Sequence, residues 1–310
     1  MTAVRHLTLL GHNFEVNGAG DAVKRHAMHA TYAALGADLL FRQEMWDADA
    51  DGGAVLAELE GILGMRGWVG PGCCTAVFAK PDLFEPIRQW PDTWPMWILP
   101  PTALTLRLRP AGPEAVPLLV VSYHLNYASA TNRLAEAEAL TVYHDQRWTL
   151  PGGRSTPLPL IAEGDNNSYR GSPRLPGQLE PPTVERARHE RYFVHRSHPM
   201  PDGSRAMDTR PDDTLRAAGL IDLGRQLATE RPTAAAAALA PTVNSGHRHG
   251  ADYDIDRFYA SQMLTPAVTS MDVVEVKPGE SDHHIVRLRL DRDVLCDILN
   301  ALAADPPGPH

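Results

Sequence analysis

The sequence predicts an α/β fold in which two sheets pack face to face and helices cover their outer faces. First, residues 5–63 alternate between strand-like and helix-like apolar patterns. Second, short strands separated by Pro and Gly occupy residues 74–123 without a helical pattern among them, which is typical of an antiparallel meander. Third, the series of strands and helices then runs a second time, and this doubling indicates two sheets.

The first series begins with a strand over residues 5–13 and an amphipathic helix over residues 21–35, which Gly36 ends. A short apolar strand over residues 38–41 follows, and residues 54–63 place apolar side chains at helical spacing. The meander strands are predicted over residues 74–79, 104–109 and 118–123.

The second series begins with a long helix over residues 131–148 and an apolar strand over residues 158–162. Residues 215–227 predict a helix, and residues 234–240 predict a helix or a linker. The remaining predicted elements are strands over residues 253–260, 273–276 and 284–290 and a helix over residues 291–304.

Composition indicates a globular chain, which we predict to be a single domain over residues 1–310. Of these residues, 43% are hydrophobic and 22% charged, enough for a large core. No apolar run approaches the roughly 20 residues of a membrane-spanning helix, and the chain does not open with a signal-peptide pattern, so we expect a cytoplasmic protein. The formal charge of −9 argues against a broad polyanion-binding surface but leaves room for a local basic groove.

Residues 168–213 form a long insertion in which no period persists. The segment is rich in Pro and is locally positive; its arginines are Arg170, Arg174, Arg186, Arg188, Arg191, Arg196, Arg205 and Arg210. Loops of this length in compact domains are often functional or mobile. Two interpretations remain open, a solvated insertion and a lid that faces a phosphate.

Polar side chains follow several predicted strands at the point where each strand ends. These residues are Asn13, Gln43, Glu44, His124, Asp165, Asn167, Asp256, Ser281, Asp282 and His283. Converging carboxylates and carboxamides without a cysteine cluster favour a hard cation such as Mg²⁺ or Mn²⁺. The histidine pairs at 247/249 and 283/284 lack the spacing of a zinc hydrolase motif, which disfavours zinc.

Each strand-end residue, taken singly, also has an ordinary structural interpretation. Asn13 can cap a turn, and Glu44 can pair with a surface arginine. His124 can be a hydrogen-bonded core residue, and Asp256 can pair with Arg257 or Arg248. The occurrence of all of them at strand ends of one chain favours a functional site.

The order of these strand ends resembles the endonuclease/exonuclease/phosphatase superfamily of metal-dependent phosphoesterases. The resemblance rests on Gln43-Glu44, Gly164-Asp165-Asn166-Asn167 and Ser281-Asp282-His283, and it extends from Asn13 to His283. It implies a four-layer α/β sandwich made of two mainly antiparallel sheets, with helices outside and the site at one edge. Asn166 departs from the family pattern, in which an aromatic or other apolar residue is usual at this position.

The resemblance implies a metal site and a proton carrier. Glu44 would be the main ligand of Mg²⁺ or Mn²⁺, with Asn13 and Asp282 close to the ion. Asp165 would handle the proton of the attacking water or of the leaving group. Asn167 would orient the phosphate or a metal-bound water.

The resemblance also implies contacts to the scissile phosphate. His283 would hydrogen-bond the phosphate, and Asp256 would fix the tautomer of His283. His124 falls where nucleases of the family place a residue that touches the phosphate. These roles agree with the needs of phosphoester hydrolysis, which are charge neutralisation, an activated water and a stabilised leaving oxygen.

Trp94, Trp97 and Arg248 are predicted to bind the substrate. Prolines prevent a regular element around the two tryptophans, which either form an aromatic wall of the site or pack a loop onto the sheet. Arg248 lies in a Gly-flanked segment, residues 246–250, which either brings it to a phosphate or is a flexible loop.

The leading functional interpretation is a Mg²⁺-dependent phosphodiester hydrolase, in first place a nuclease that cleaves DNA or RNA. The alternative is a phosphatase or phosphodiesterase that acts on a phosphorylated metabolite or a lipid headgroup, which the acidic balance of the chain favours. A non-catalytic binding protein on the same fold is the third interpretation.

Overall fold

The computed structural model describes residues 5–91, 96–188, 193–244 and 253–304. The strands of the described chain are β1 (His6–Asn13), β2 (Leu39–Gln43), β3 (Arg66–Val69), β4 (Thr75–Ala79), β5 (Phe84–Trp90), β6 (Thr102–Leu108), β7 (Leu118–His124), β8 (Arg147–Thr149), β9 (Ser155–Pro157), β10 (Leu160–Asp165), β11 (Ser197–Pro199), β12 (Arg205–Met207), β13 (Leu220–Asp222), β14 (Asp256–Ser261), β15 (Val268–Val274) and β16 (Ile285–Asp291). The α-helices are α1 (Ala22–Ala34), α2 (Ala50–Leu63), α3 (Ala130–His144), α4 (Val184–Ala187), α5 (Arg210–Ala217), α6 (Leu223–Glu230), α7 (Ala235–Ala238) and α8 (Arg292–Ala303). Within these ranges, no helix is long and apolar enough to cross a membrane.

Two six-stranded sheets form the centre of the fold. The first has the strand order β15-β16-β1-β2-β4-β3, and the second has the order β13-β14-β10-β7-β6-β5. In each sheet the two central strands are parallel, whereas the other neighbouring pairs are antiparallel. The predicted fold of two mainly antiparallel sheets is therefore confirmed.

The apolar side chains form three layers of core around these sheets. A central cluster takes side chains from the inner faces of both sheets, and within it the rings of Phe41 and Phe258 meet edge to face at 5.6 Å. A second cluster joins the outer face of the first sheet to α1 and α2, and a third joins the outer face of the second sheet to α3 and α5. Helix, sheet, sheet and helix thus make the four predicted layers.

Two predicted helices have different boundaries in the structure. The helix predicted over residues 131–148 ends at His144, and residues 147–149 form a strand that pairs with β9. The helix predicted over residues 215–227 is interrupted by Gly219, whose φ of 92° a helix cannot accommodate. The apolar period continues across this break because α5, β13 and α6 all turn side chains toward buried clusters.

A buried glutamate joins the two sheets below the edge where the strand-end residues lie. Glu163 of β10 is 0% exposed, and its Oε2 accepts a hydrogen bond of 2.9 Å from Gln43 Nε2 of the other sheet. Gly11 of β1 leaves room for this side chain, because a Cβ at residue 11 would lie 2.0 Å from Glu163 Cδ. Burial, and then the charge of Asp256, raise the pKa of Glu163 well above its usual value.

Glu163→Gln is expected to change how stability depends on pH. In the folded protein the buried Glu163 carboxyl keeps its proton, whereas in the unfolded chain the same group ionises above about pH 4.3. The free energy of unfolding therefore falls by about 1.4 kcal/mol for each pH unit above that value, up to the pKa of the folded state. Glutamine does not titrate and still offers an oxygen to Gln43. Urea unfolding from pH 4.5 to pH 8 should show the variant gaining stability relative to wild type as pH rises; parallel curves would contradict a neutral Glu163.

Candidate active site

The strand-end residues meet in one cavity of about 350 Å³ at the edge of the two sheets. The predicted residues that line it are Asn13, Glu44, His124, Asp165, Asn167, Asp282 and His283. The two parallel strand pairs explain this placement, since Asn13 lies beside Gln43 in one sheet and His124 beside Asp165 in the other. Asp256 is fully buried and lies next to Asp165 in the ladder of β10 and β14.

Asp165 lies at the centre of the polar contacts in the cavity. Its Oδ2 accepts a hydrogen bond of 3.2 Å from Asn13 Nδ2, which joins the two sheets. The same oxygen lies 3.5 Å from His124 Nε2 and 3.8 Å from His283 Nε2. Three side-chain nitrogens therefore lie within 3.8 Å of one carboxylate oxygen, an arrangement suited to proton transfer at that atom.

The turn after β10 holds Asp165 and Asn167 in fixed positions. Asp165 Oδ1 accepts a hydrogen bond of 2.6 Å from the backbone N–H of Asn167, and Asn167 Nδ2 donates to the Leu125 carbonyl at 3.0 Å. Asn167 has a left-handed φ of 47°, and Glu44, which follows the central strand of the other sheet, has a φ of 56°. Such conformations cost about 1–3 kcal/mol and cluster at functional sites.

Gly164 is required by the close approach of the two central strands of the second sheet. A Cβ at this position would lie 1.9 Å from the carbonyl oxygen of Tyr123 in β7. Because that atom belongs to the backbone, no side-chain movement can relieve the contact. The glycine therefore lets β7 and β10 present His124 and Asp165 side by side.

Asn166 lies in the same turn but does not line the cavity, and its side chain is hydrogen-bonded to two tyrosines of the second sheet. Its Oδ1 accepts a hydrogen bond of 3.0 Å from Tyr123 Oη, and its Nδ2 donates to Tyr259 Oη at 3.4 Å. The Tyr259 hydroxyl in turn donates to Asp212 at 2.7 Å. The hydroxyls of the two buried tyrosines need hydrogen-bond partners, and the side-chain amide of Asn166 supplies them. This explains why an amide stands where the resembled family has an apolar residue.

His283 and Asp256 form a buried pair behind Asp165. His283 Nδ1 lies 2.7 Å from Asp256 Oδ2, so this nitrogen carries a hydrogen and Nε2 is directed toward Asp165. Burial opposes the charged ring, but the carboxylates of Asp256, Asp282 and Asp165 together hold the pKa of His283 well above its usual value. At neutral pH the ring is an imidazolium that can donate to an anionic substrate.

Asn13, Glu44 and Asp282 bring carboxamide and carboxylate oxygens to the same cavity, and hard divalent cations take oxygen ligands of these kinds. Asn13 Oδ1 is buried and has no hydrogen-bond partner among the described residues, and Glu44 Oε2 accepts from the backbone N–H of Val16 at 2.7 Å. Asp165, Asp256 and His283 also bring ligand atoms within 4.8 Å of one another. Within that second group, a hydrogen bond already joins His283 Nδ1 and Asp256 Oδ2.

The cavity has further walls that the sequence patterns did not indicate. These residues are Trp46, Leu99, Tyr127 and Arg196. Tyr127 is 56% exposed, so its ring is open to solvent at the mouth of the cavity. Tyr127 lies three residues after His124, the last residue of β7, and this nearness along the chain is a signal that could have indicated the wall.

Of the three residues predicted to bind substrate, the structure describes Trp97. Trp97 does not line the cavity and packs against the outer core of the second sheet, which agrees with the alternative that it packs a loop. Trp94 and Arg248 lie outside the described residues. Of the arginines of the insertion that the structure describes, Arg196 lines the cavity, whereas Arg170 forms ion pairs with Asp222 and Asp254 at 3.2 and 3.0 Å.

The fold is that of the endonuclease/exonuclease/phosphatase proteins, as comparison with solved structures shows. An endonuclease/exonuclease/phosphatase family protein from Bacteroides thetaiotaomicron is 17% identical, with a TM-score of 0.57 over 92% of this chain and 95% of that one. D. rerio TDP2 complexed with single strand DNA product is 12% identical, with a TM-score of 0.59 and coverages of 92% and 98%. An AP endonuclease from Archaeoglobus fulgidus is 12% identical, with a TM-score of 0.60 and coverages of 92% and 99%. No family model and no curated protein matches the sequence.

Proposed function

We propose that the protein is a divalent-metal-dependent phosphodiester hydrolase, with DNA or RNA as its first candidate substrate. The observation that carries the proposal is the cavity in which Asp165 faces His124 and His283 while oxygen donors of Asn13 and Glu44 line the same space. Phosphoester hydrolysis needs a proton carrier, a donor to the phosphate and a site for a cation, and these side chains can supply all of them.

Each of these side chains has its own role in the proposed hydrolysis. Asp165 takes up the proton of the attacking water or returns one to the leaving oxygen, because its Oδ2 faces the cavity. The His283 imidazolium and His124 donate hydrogen bonds to the phosphoryl oxygens, and Asn167 orients the phosphate. When bound, Mg²⁺ or Mn²⁺ held by Asn13, Glu44 and Asp282 supplies charge neutralisation at those oxygens.

The structural neighbours support nucleic acid as the first substrate to test. One of them is described with a single strand DNA product, and another is an AP endonuclease. Purified protein should cleave single- or double-stranded DNA or RNA with Mg²⁺ or Mn²⁺, and EDTA should abolish the cleavage. Absence of cleavage across all these substrates with fresh protein would reject the nuclease proposal.

A small phosphorylated molecule is the second candidate substrate. The cavity volume of about 350 Å³ lies within the range of small-molecule pockets, and the net charge of −9 opposes a long polyanion. A screen of phosphorylated metabolites and lipid headgroups separates the two candidates. Turnover of a small ester by protein that leaves nucleic acid intact would decide for the second.

Arg196→Gln is expected to raise KM about tenfold or more with a smaller change in kcat, because a charged hydrogen bond to a phosphate contributes about 1.5–3 kcal/mol. The neighbouring backbone is held firmly, since His195 Nδ1 donates to the Ala128 carbonyl at 2.7 Å and Arg133 Nη2 donates to the His195 carbonyl at 2.7 Å. Steady-state kinetics with the best substrate measure the effect. Arg186→Gln, at an exposed position of α4, is the matched control, and equal KM values for both variants would contradict a substrate contact.

A further inference from the structure

Four polar side chains form a buried cluster on the helix side of the first sheet, behind the candidate site. His12 lies in β1, His29 and Tyr32 lie in α1, and Arg42 lies in β2. Each of the four is 0% exposed, and none of these four lines the cavity. Polar groups are costly to bury unless they are hydrogen-bonded, so their contacts indicate what the cluster does.

The contacts of His12 determine which ring nitrogen carries its hydrogen. His12 Nε2 lies 3.1 Å from the carbonyl oxygen of His283, and a carbonyl oxygen only accepts, so Nε2 carries the hydrogen. His12 is fully buried, and the Arg42 guanidinium donates to its backbone carbonyl, so a second positive charge on the imidazole ring is disfavoured and the ring is neutral. His12 Nδ1 is therefore an acceptor, and the Tyr32 hydroxyl donates to it at 2.6 Å.

Arg42 and His29 hold the other side of Tyr32. Arg42 only donates, so His29 Nε2 accepts from Arg42 Nη1 at 2.9 Å, and His29 Nδ1–H donates to a carbonyl of the preceding helical turn at 2.8 Å. The guanidinium lies over the Tyr32 ring, 5.4 Å from its centroid, and Arg42 Nε donates to the His12 carbonyl at 3.3 Å. Helix α1 and strands β1 and β2 are thereby fixed relative to one another.

The cluster reaches the candidate site through the backbone of His283. The imidazole of His283 is held by Asp256 of the second sheet, whereas its carbonyl is held by His12 from β1, the strand that neighbours β16 in the first sheet. The His283 backbone N–H donates to Ser281 Oγ at 3.3 Å, a weaker contact. Backbone hydrogen bonds also hold this chain, from the Asn244 N–H to the Asp282 carbonyl at 2.8 Å and from the His284 N–H to the Thr242 carbonyl at 2.6 Å. His12 adds a side-chain hydrogen bond to the carbonyl of His283 itself.

We propose that His12 and Tyr32 are positioning residues for His283: the Tyr32 hydroxyl selects the His12 tautomer that donates to the His283 carbonyl. This inference rests on the proposed hydrolysis of a phosphoester at the cavity. In the other tautomer, His12 would present a bare nitrogen lone pair to the carbonyl oxygen, and the two groups would repel each other. Partners that orient a functional imidazole in this way typically change activity about 10–100-fold.

Tyr32→Phe removes the donor that selects the tautomer and tests the inference directly. We expect kcat for bis(p-nitrophenyl) phosphate with Mg²⁺ to fall about 10–100-fold. In ¹⁵N-labelled protein, two-bond ¹H–¹⁵N spectra should show His12 as the Nε2–H tautomer in wild type and a mixture of tautomers in the variant. Tyr143→Phe, on a helix of the other sheet, is the matched control and should leave the kcat and the His12 signals at their wild-type values.

Repeating the Tyr32→Phe substitution in a His12→Gln protein shows whether Tyr32 acts by selecting the His12 tautomer or by general packing. Glutamine at residue 12 places its only nitrogen donor where His12 Nε2 lies and has no tautomer to select. In the His12→Gln background, adding Tyr32→Phe should therefore change kcat less than about twofold, whereas the same change in wild type costs about 10–100-fold.

Equal losses in both backgrounds, or a wild-type His12 signal of the Nδ1–H tautomer, would overturn the inference. If His12→Gln does not fold, the wild-type and Tyr32→Phe spectra still decide it. A wild-type protein that hydrolyses no phosphoester would reject the proposed function instead, while the tautomer spectra would still test the positioning of His283.

Discussion

Asp165→Asn is expected to lower kcat by about 10²–10⁴-fold while the protein keeps its fold. The carboxylate lies where Asn13 Nδ2, His124 Nε2 and His283 Nε2 converge within 3.2 to 3.8 Å of one oxygen. An amide of the same shape cannot take up a proton at neutral pH, so the proposed proton transfer is lost. Steady-state kinetics with Mg²⁺, together with circular dichroism and thermal unfolding, measure both parts of the prediction.

The fold should survive this substitution because the new amide keeps the local hydrogen bonds. The oxygen of the new amide would still accept from the backbone N–H of Asn167, and the buried Asn13 Oδ1, which has no partner among the described residues, could turn to accept from the amide nitrogen. Asp82→Asn, at an exposed position in the turn between β4 and β5, is the matched control. A folded Asp165→Asn protein with more than a tenth of wild-type activity would contradict the proposed role.

The place of the site could be predicted from the sequence because it follows from strand direction. Asn13 and His124 each end a central strand, and parallel neighbours end at the same edge of a sheet. The pattern of apolar runs that stop at a polar residue therefore indicates proximity even between distant parts of the chain. Strand direction does not predict which residues of the two different sheets meet. The contact of Asn13 with Asp165 could be predicted only from the family resemblance or seen in the structure.

The reason for Asn166 could not be read from the sequence. Its partners Tyr123 and Tyr259 lie in apolar strands, where a tyrosine looks like any core residue. The same is true of His12 and Arg42, which sit within buried strands and give no periodic signal of their own contacts. Buried polar networks depend on side chains that are far apart in sequence, and a single sequence does not indicate such pairs.

The walls of the cavity were missed for a different physical reason. Trp46, Leu99 and Arg196 lie in irregular segments, where no period or turn chemistry assigns a direction to a side chain. The insertion illustrates this: its arginines form one positive segment in sequence, yet Arg170 forms buried ion pairs while Arg196 reaches the cavity. Charge along the chain predicted a basic segment but not which arginine would line the cavity.

Asp256→Asn is expected to lower kcat by about 10²-fold or more at alkaline pH and to move the alkaline fall of activity to lower pH. Asp256 is the main group that keeps the pKa of His283 high against the effect of burial. The imidazolium is present below its folded pKa and is lost as pH rises through that value, so wild-type activity should persist well above pH 6.5. Without the carboxylate the pKa falls, and the same loss begins at lower pH. Profiles of kcat from pH 5 to pH 10 measure the shift.

A control and a double variant show whether this shift acts through His283. Asp254→Asn removes another buried carboxylate, which pairs with Arg170 at 3.0 Å, and its alkaline limb should stay where wild type has it. If Asp256 acts only by holding and charging His283, adding Asp256→Asn to a His283→Gln protein should cost little further activity, because groups that act as a unit are not additive. A full additional loss in the double variant would mean that Asp256 acts on the reaction independently of the imidazole.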